Sequence, residues 1–142
     1  MFYKYQGTGN DFVMIDNRTK TFPKEKTAIF SQLSDRNFGI GADGIILIEN
    51  DEEFDFKMIY YNADGSETFC GNGARCAVAF AKQLEIIDQK TKFIAVDGPH
   101  FAQISQGIQE GNKIIFFCLS QVQVLSLTIV FTKILMQIRV VL

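Results

Sequence analysis

Apolar and polar positions alternate from Phe2 to Gln6 as in a short strand, Gly7-Thr8-Gly9-Asn10-Asp11 breaks it, and a strand-like segment resumes over Phe12–Asp16. That pattern predicts two short strands about a hairpin-like turn. Lys24–Leu33 carries helical spacing, with Ala28, Ile29 and Leu33 on one side and Pro23 near its start. A Gly-rich connection from Ser34 to Gly44 leads into Ile45–Ile48, which reads as a buried strand. Asn50–Asp55 is acidic and polar, as in an exposed turn, and Phe56–Tyr61 is a further strand ending in the turn-rich run Asn62-Ala63-Asp64-Gly65-Ser66. After Gly73 the composition becomes helical, over about Ala74–Leu84. Lys92–Val96 and Phe101–Ile104 then read as strands separated by a turn at Asp97-Gly98-Pro99-His100.

Composition narrows the classes. A chain of 142 residues, 47% hydrophobic and 21% charged, has the length of one domain and enough apolar mass for a core. The net charge is −2 and the basic residues are scattered, without the Lys/Arg footprint of a nucleic-acid binder. Three cysteines, an odd number, and an N-terminus lacking a charged lead and apolar run point to a reducing, cytoplasmic compartment. Cys70 and Cys76 lack a second Cys/His pair, and His100 is the single histidine, so no metal site is expected.

The candidate chemistry lies in Tyr60–Cys76. Cys70 stands directly before Gly71-Asn72-Gly73 and the helical segment. Small residues let the backbone turn sharply and approach a ligand. A helix starting there points its unpaired amides and positive dipole end toward Cys70. A thiol so placed has its thiolate stabilised and becomes a usable base or nucleophile. The same amides can hold a substrate carboxylate. The pair suits chemistry at the α-carbon of an amino acid. A buried cysteine in a Gly-rich turn is the plainer alternative. His100 invites a Cys/His nucleophile reading, but a structural or surface role fits it better. Cys76 sits inside the helix as a packing residue, and Arg75 is either a solvated charge or a brace for the loop.

Asn62-Ala-Asp-Gly-Ser and Cys70-Gly-Asn-Gly-Ala-Arg-Cys resemble the signature of the diaminopimelate epimerase family. Two more segments match in order: Gly7-Thr-Gly-Asn-Asp-Phe and Asp35-Arg-x-x-Gly-Ile-Gly-Ala-Asp-Gly44. Some members carry glutamine at the place of Gly44, so no role is carried onto that position. The resemblance implies an α+β fold, a curled, largely antiparallel sheet around a central helix, which is one of two similar halves closing over the substrate. It implies epimerisation at one α-carbon of diaminopimelate by two thiols on opposite faces, without any cofactor, in lysine and cell-wall precursor biosynthesis. Cys70 is then one acid/base, and Asn10, Asn62, Gly71 and Asn72 bind substrate. A carboxamide such as that of Asn10 can donate to a carboxylate and accept from an ammonium. Full-length members are expected to be homodimers, and the partner of the site is a small amino-acid substrate.

The resemblance covers about Met1–Ile108. Residues 1–115 are therefore expected to form the family domain, and 116–142 an apolar tail outside it. Ile114–Thr132 carries no charge over nineteen residues, close to the ~20 of a membrane span, but its Ser, Thr and Gln content weighs against an anchor. A slipped coding frame also accounts for it. Shifting the codons of Thr128–Leu142 permits Asn-Cys-Phe-Tyr-x-Asp-Thr-Asx-Ala-Asn-Thr-Gly-Ser-Pro, and Met136-Gln137 can give only alanine. The ending resembles the Thr-Gly-Ser-Pro-His segment that opens the family's second half. The family's second Cys-Gly-Thr-Gly is absent, and Cys118, before Leu119-Ser120, is no substitute. Little or no epimerase activity is expected of this chain alone. A related cofactor-independent racemase or isomerase and a non-catalytic fragment are the alternatives; a cysteine hydrolase lacks a His-Asn partnership.

Overall fold

The computed structural model describes residues 1–110, 113–121 and 136–139, with side chains through Ile104. β1 (Tyr3–Gly7) and β2 (Asn10–Asp16) form a hairpin closed by Thr8 and Gly9, both at positive φ (56° and 90°). Two such residues give the turn whose twist matches that of the strands it joins. β3 (Gly44–Glu49) lies parallel to β2 and antiparallel to β4 (Phe56–Asn62). The two-residue β5 (Glu67–Thr68) folds back on β4. β6 (Lys90–Ala95) runs parallel to β4, and β7 (Gly98–Glu110) and β8 (Lys113–Gln121) follow antiparallel. β9 (Met136–Arg139) pairs with β1. Among the described residues the sheet order is β8-β7-β6-β4-β3-β2-β1-β9, with six antiparallel ladders and two parallel ones.

The sheet curls around α2 (Gly71–Gln83), which touches β1, β2, β3, β4 and β8. Its Ala74, Cys76, Ala77, Val78, Phe80 and Ala81 are buried against Tyr5, Phe12, Met14, Ile46 and Met58. Rings of Tyr3 and Tyr5 lie 5.0 and 5.6 Å from that of Phe80. Burying a ring of that size contributes roughly 1.5–3 kcal/mol. The other face of the sheet is covered by α1 (Ala28–Ser34), whose Phe30 packs with Val13, Ile45, Leu47 and Ile59. β3 is buried along its whole length because each face has a helix on it. The α+β class, the largely antiparallel sheet and the central helix all match the expectation from the sequence.

Several boundaries differ from it. The first helix begins at Ala28, not Lys24. Turns at Phe22–Lys24 and Pro23–Lys26 precede it, and Lys24 reaches back to Glu49 at 2.8 Å. That ion pair and the packing of Phe22 on Phe30 hold the segment off the helical path. Ala28 is exposed, and Phe30 and Ser34 are the buried positions. The second helix begins at Gly71, three residues earlier than composition suggests. Gly73 lies within its first turn, where the close approach of Ile46 leaves no room for a side chain: a Cβ there would lie 2.9 Å from Ile46 Cδ1. The turn expected over Asp97–His100 shrinks to Val96-Asp97, since Gly98 already pairs with Ala95.

Lys113–Gln121 runs across residue 115 as β8, and Met136–Arg139 forms β9; the remainder of the expected tail, 122–135 and 140–142, lies outside the described residues. Among the described residues no helix is long and apolar enough to cross a membrane.

Candidate active site

Cys70 is the N-cap of α2, with extended backbone (φ −137°, ψ 119°) and a half-buried side chain. The first helical hydrogen bond runs from Ala74 N–H to Cys70 O at 2.8 Å. The amides of Gly71, Asn72 and Gly73 precede that bond, and the cap makes no side-chain hydrogen bond to them. They are the positive end of a thirteen-residue helix, set beside the sulfur. Gly71 is exposed, and a Cβ there would meet nothing within 4 Å, so space for a ligand lies over the first turn. Phe69, just before the cap, stacks on His100 at 4.3 Å. The His100 ring also stacks on Phe93 and its Nε2 lies 2.8 Å from Asp97 Oδ1. His100 is thus a packing neighbour of the segment entering the helix.

The β1–β2 hairpin delivers Asn10 to this helix end. Asn72 Nδ2 donates to Asn10 Oδ1 at 2.5 Å, and Asn10 Nδ2 donates to Asp43 Oδ2 at 3.1 Å. Arg75, one turn along α2, donates from Nη2 to Asn72 Oδ1 and to Thr8 Oγ1, the latter at 3.4 Å. Arg75 therefore braces the loop against the helix. Asn62 ends β4 opposite Gly44, next to Asp43 in the chain. Its carboxamide donates to Ser66 Oγ at 3.0 Å inside its own turn, where Asp64 Oδ1 accepts from Ser66 N and Oγ at 2.9 and 2.6 Å. Cys70, Gly71, Asn72 and Asn10 are brought together; Asn62 stands on the strand leading to them, engaged locally. Cys76 is buried in the core, facing Gly7.

Five residues given no role by sequence reasoning shape the site. Arg36 forks onto Asp11, Nη1 to Oδ2 at 3.0 Å and Nη2 to Oδ1 at 2.8 Å, and reaches Asp43 Oδ1 at 2.7 Å. Lys4 adds an ion pair to Asp11 at 3.0 Å. Partial burial pushes the Asp11 carboxyl up, but the hydrogen bonds and charges of Arg36 and Lys4 outweigh it and hold it well below the ordinary carboxylate range. A depressed folded-state value means stability that is present above the unfolded value of about 4 and is lost as pH falls through the folded one. Asp11→Asn is therefore expected to lower stability at pH 7, with the gap to the unaltered chain narrowing below about pH 4, as read by urea unfolding at the two pH values.

Tyr60 is the fifth. It is buried beside Cys70, with its ring 5.7 Å from that of Phe12. Burial first, then the neighbouring acidic groups Cys70, Asp43 and Asp64, push its phenol up to about 12. It stays a neutral wall of the site at physiological pH. The sequence offered one signal for the Arg36 brace, an Arg and two Asp inside Gly-rich segments, but no hint of which pairs.

A curled, largely antiparallel sheet wrapped around a central helix defines an α+β class of fold. The architecture is that of two solved proteins titled phenazine biosynthesis proteins of the PhzF family. The one from Bacillus anthracis matches at TM-score 0.60 and 16% identity, covering 84% of this chain and 40% of that one. The one from Enterococcus faecalis matches at TM-score 0.50 and 14% identity, covering 89% and 49%. These likenesses concern the fold alone. Residues 2–109 match the family model described as diaminopimelate epimerase, and the chain belongs to that family. It is 66% identical over 105 residues to the diaminopimelate epimerase of Flavobacterium psychrophilum, covering 73% of this chain and 41% of that protein. It is 41% identical over 123 residues to the enzyme of that name from Aquifex aeolicus, covering 80% and 43%. The chain thus spans about two fifths of the length of these curated relatives.

Proposed function

We propose that these residues form one half of a diaminopimelate epimerase active site, with Cys70 as one of two acid/base thiols. Residues 1–115 are the catalytic half in this reading. The observation that carries it is the placement of a half-buried cysteine as N-cap over the open amides of Gly71–Gly73, beside the Asn10–Asn72 pair. The Cys70 thiolate takes the α-proton of diaminopimelate and becomes a thiol. The electron pair left on the α-carbon spreads into the α-carboxylate, and the helix amides stabilise the negative charge that builds there. A second thiol, in the portion of the relatives' length that this chain does not span, returns a proton on the opposite face and becomes a thiolate. The proposed chemistry uses no cofactor. Asn10, Asn62, Gly71 and Asn72 hold the substrate, and Tyr60 and Phe69 help exclude water. The reaction belongs to lysine and cell-wall precursor biosynthesis in a reducing, cytoplasmic compartment.

Two results test the half-site. Iodoacetamide should label Cys70 at least about tenfold faster than Cys76, because only a thiolate with solvent access reacts and Cys76 is fully buried; equal rates in a peptide map would remove the reading. The 142-residue chain by itself should wash no measurable deuterium into the α-carbon of diaminopimelate. Exchange by the isolated chain would show that one thiol suffices.

A further inference from the structure

Two neighbouring carboxamides can each be turned end for end at little steric cost, so something must decide which end each presents. Here both ends of the chain of hydrogen bonds are fixed by groups with one polarity. A carboxylate only accepts and a guanidinium only donates. Asp43 Oδ2 therefore demands the NH2 of Asn10, which turns Asn10 Oδ1 toward Asn72. Asn72 must answer with its own NH2, which turns its Oδ1 toward Arg75. Both terminal groups are themselves anchored. Arg36 and the Asp11 N–H hold Asp43, at 2.7 and 3.1 Å, and Thr8 Oγ1 accepts from Arg75.

We propose that Asp43 and Arg75 are positioning residues that lock Asn10 and Asn72 in one orientation, leaving one N–H of each to bind a substrate carboxylate. The chain consumes one N–H of each amide and leaves the second. Those two donors add to the amides of Gly71–Gly73, so the array is built for an anion. The assignment rests on reading the Asn10–Asn72 pair as part of the substrate site.

The test is side-chain amide NMR on the 15N-labelled chain without ligand. The unaltered chain should give one NH2 pair for Asn10 and one for Asn72. Asp43→Asn alone leaves the donor-only Arg75 to fix the chain, and Arg75→Gln alone leaves the acceptor-only Asp43, so each single variant should keep one NH2 pair for Asn10 and one for Asn72. The double variant Asp43→Asn/Arg75→Gln frees both ends, and the expected result is a doubled pair for Asn10 and for Asn72, with the backbone amides of β6 unmoved. Single pairs for both residues in the folded double variant would overturn the proposal. If the double variant does not fold, the single variants decide: a doubled pair in either would show that the remaining end does not lock the amides, which is equally fatal. Adding diaminopimelate separates the two ideas. Unmoved pairs in the unaltered chain would sink the substrate reading while the ligand-free spectra still decide the lock. Where binding is seen, the double variant Asp43→Asn/Arg75→Gln should weaken it by about tenfold, the worth of one oriented bond to a charged group.

Discussion

Gly44→Ala should cost the chain about 3 kcal/mol or more and shift the midpoint of urea unfolding accordingly. Gly44 opens β3, and a Cβ there would lie 2.4 Å from Tyr61 O, 2.5 Å from Tyr60 Cε2 and 2.9 Å from the Tyr60 hydroxyl. The nearest of these is backbone, which cannot swing aside as a long side chain can. Relief means moving β3 away from β4, or turning the Tyr60 ring out of its contact with Phe12. Either movement displaces a wall of the Cys70 site, since Tyr60 is buried beside that thiol. The substitution should therefore also change the iodoacetamide rate at Cys70. An unfolding midpoint within ~0.5 kcal/mol of the unaltered chain would show that β3 and β4 are not packed as described.

Cys70→Ala should abolish epimerisation in a protein that extends these residues to the full length of the relatives. The expected loss is at least about 10³-fold in kcat, in line with removing a group that acts directly on the reacting atom. The helix end, the Asn10–Asn72 pair and the core remain, because the Cys70 side chain is half-buried and the cap makes no side-chain hydrogen bond. Unfolding free energy should change by no more than ~1 kcal/mol, while KM stays within a few-fold. Cys76→Ala should show the reverse pattern, with lower stability and residual turnover, because Cys76 fills the core against Gly7.

The strands were legible wherever one rule governed them. Alternation marked β1, and apolar runs marked β2, β3 and, after Lys57, β4, because burial on one or two faces leaves that imprint. β5 escaped because two residues carry no period. The start of α2 was misplaced because glycine is a poor helix former, and tertiary contact with Ile46 overrides that preference at Gly73. The start of α1 was misplaced because an ion pair with Glu49, 25 residues away, holds Lys24. Of the site, the helix-capping cysteine was readable from local spacing. Asn10, Asn62 and Asn72 came from family resemblance, since no local rule brings residues 62 positions apart into contact. The Arg36–Asp11–Asp43 brace spans 25 and 7 residues of chain and exists only once β2 and β3 are paired side by side.

The most direct measurement is a crystal structure of the protein extended to the relatives' full length, with Cys70 and the proposed second acid/base cysteine replaced by alanine, bound to diaminopimelate. The α-carboxylate should sit on the amides of Gly71–Gly73, with the residue 70 Cβ facing the α-carbon so that a sulfur placed on it lies about 3.5 Å away. A carboxylate bound elsewhere, with residue 70 turned from the stereocentre toward the core, would contradict the role given to Cys70.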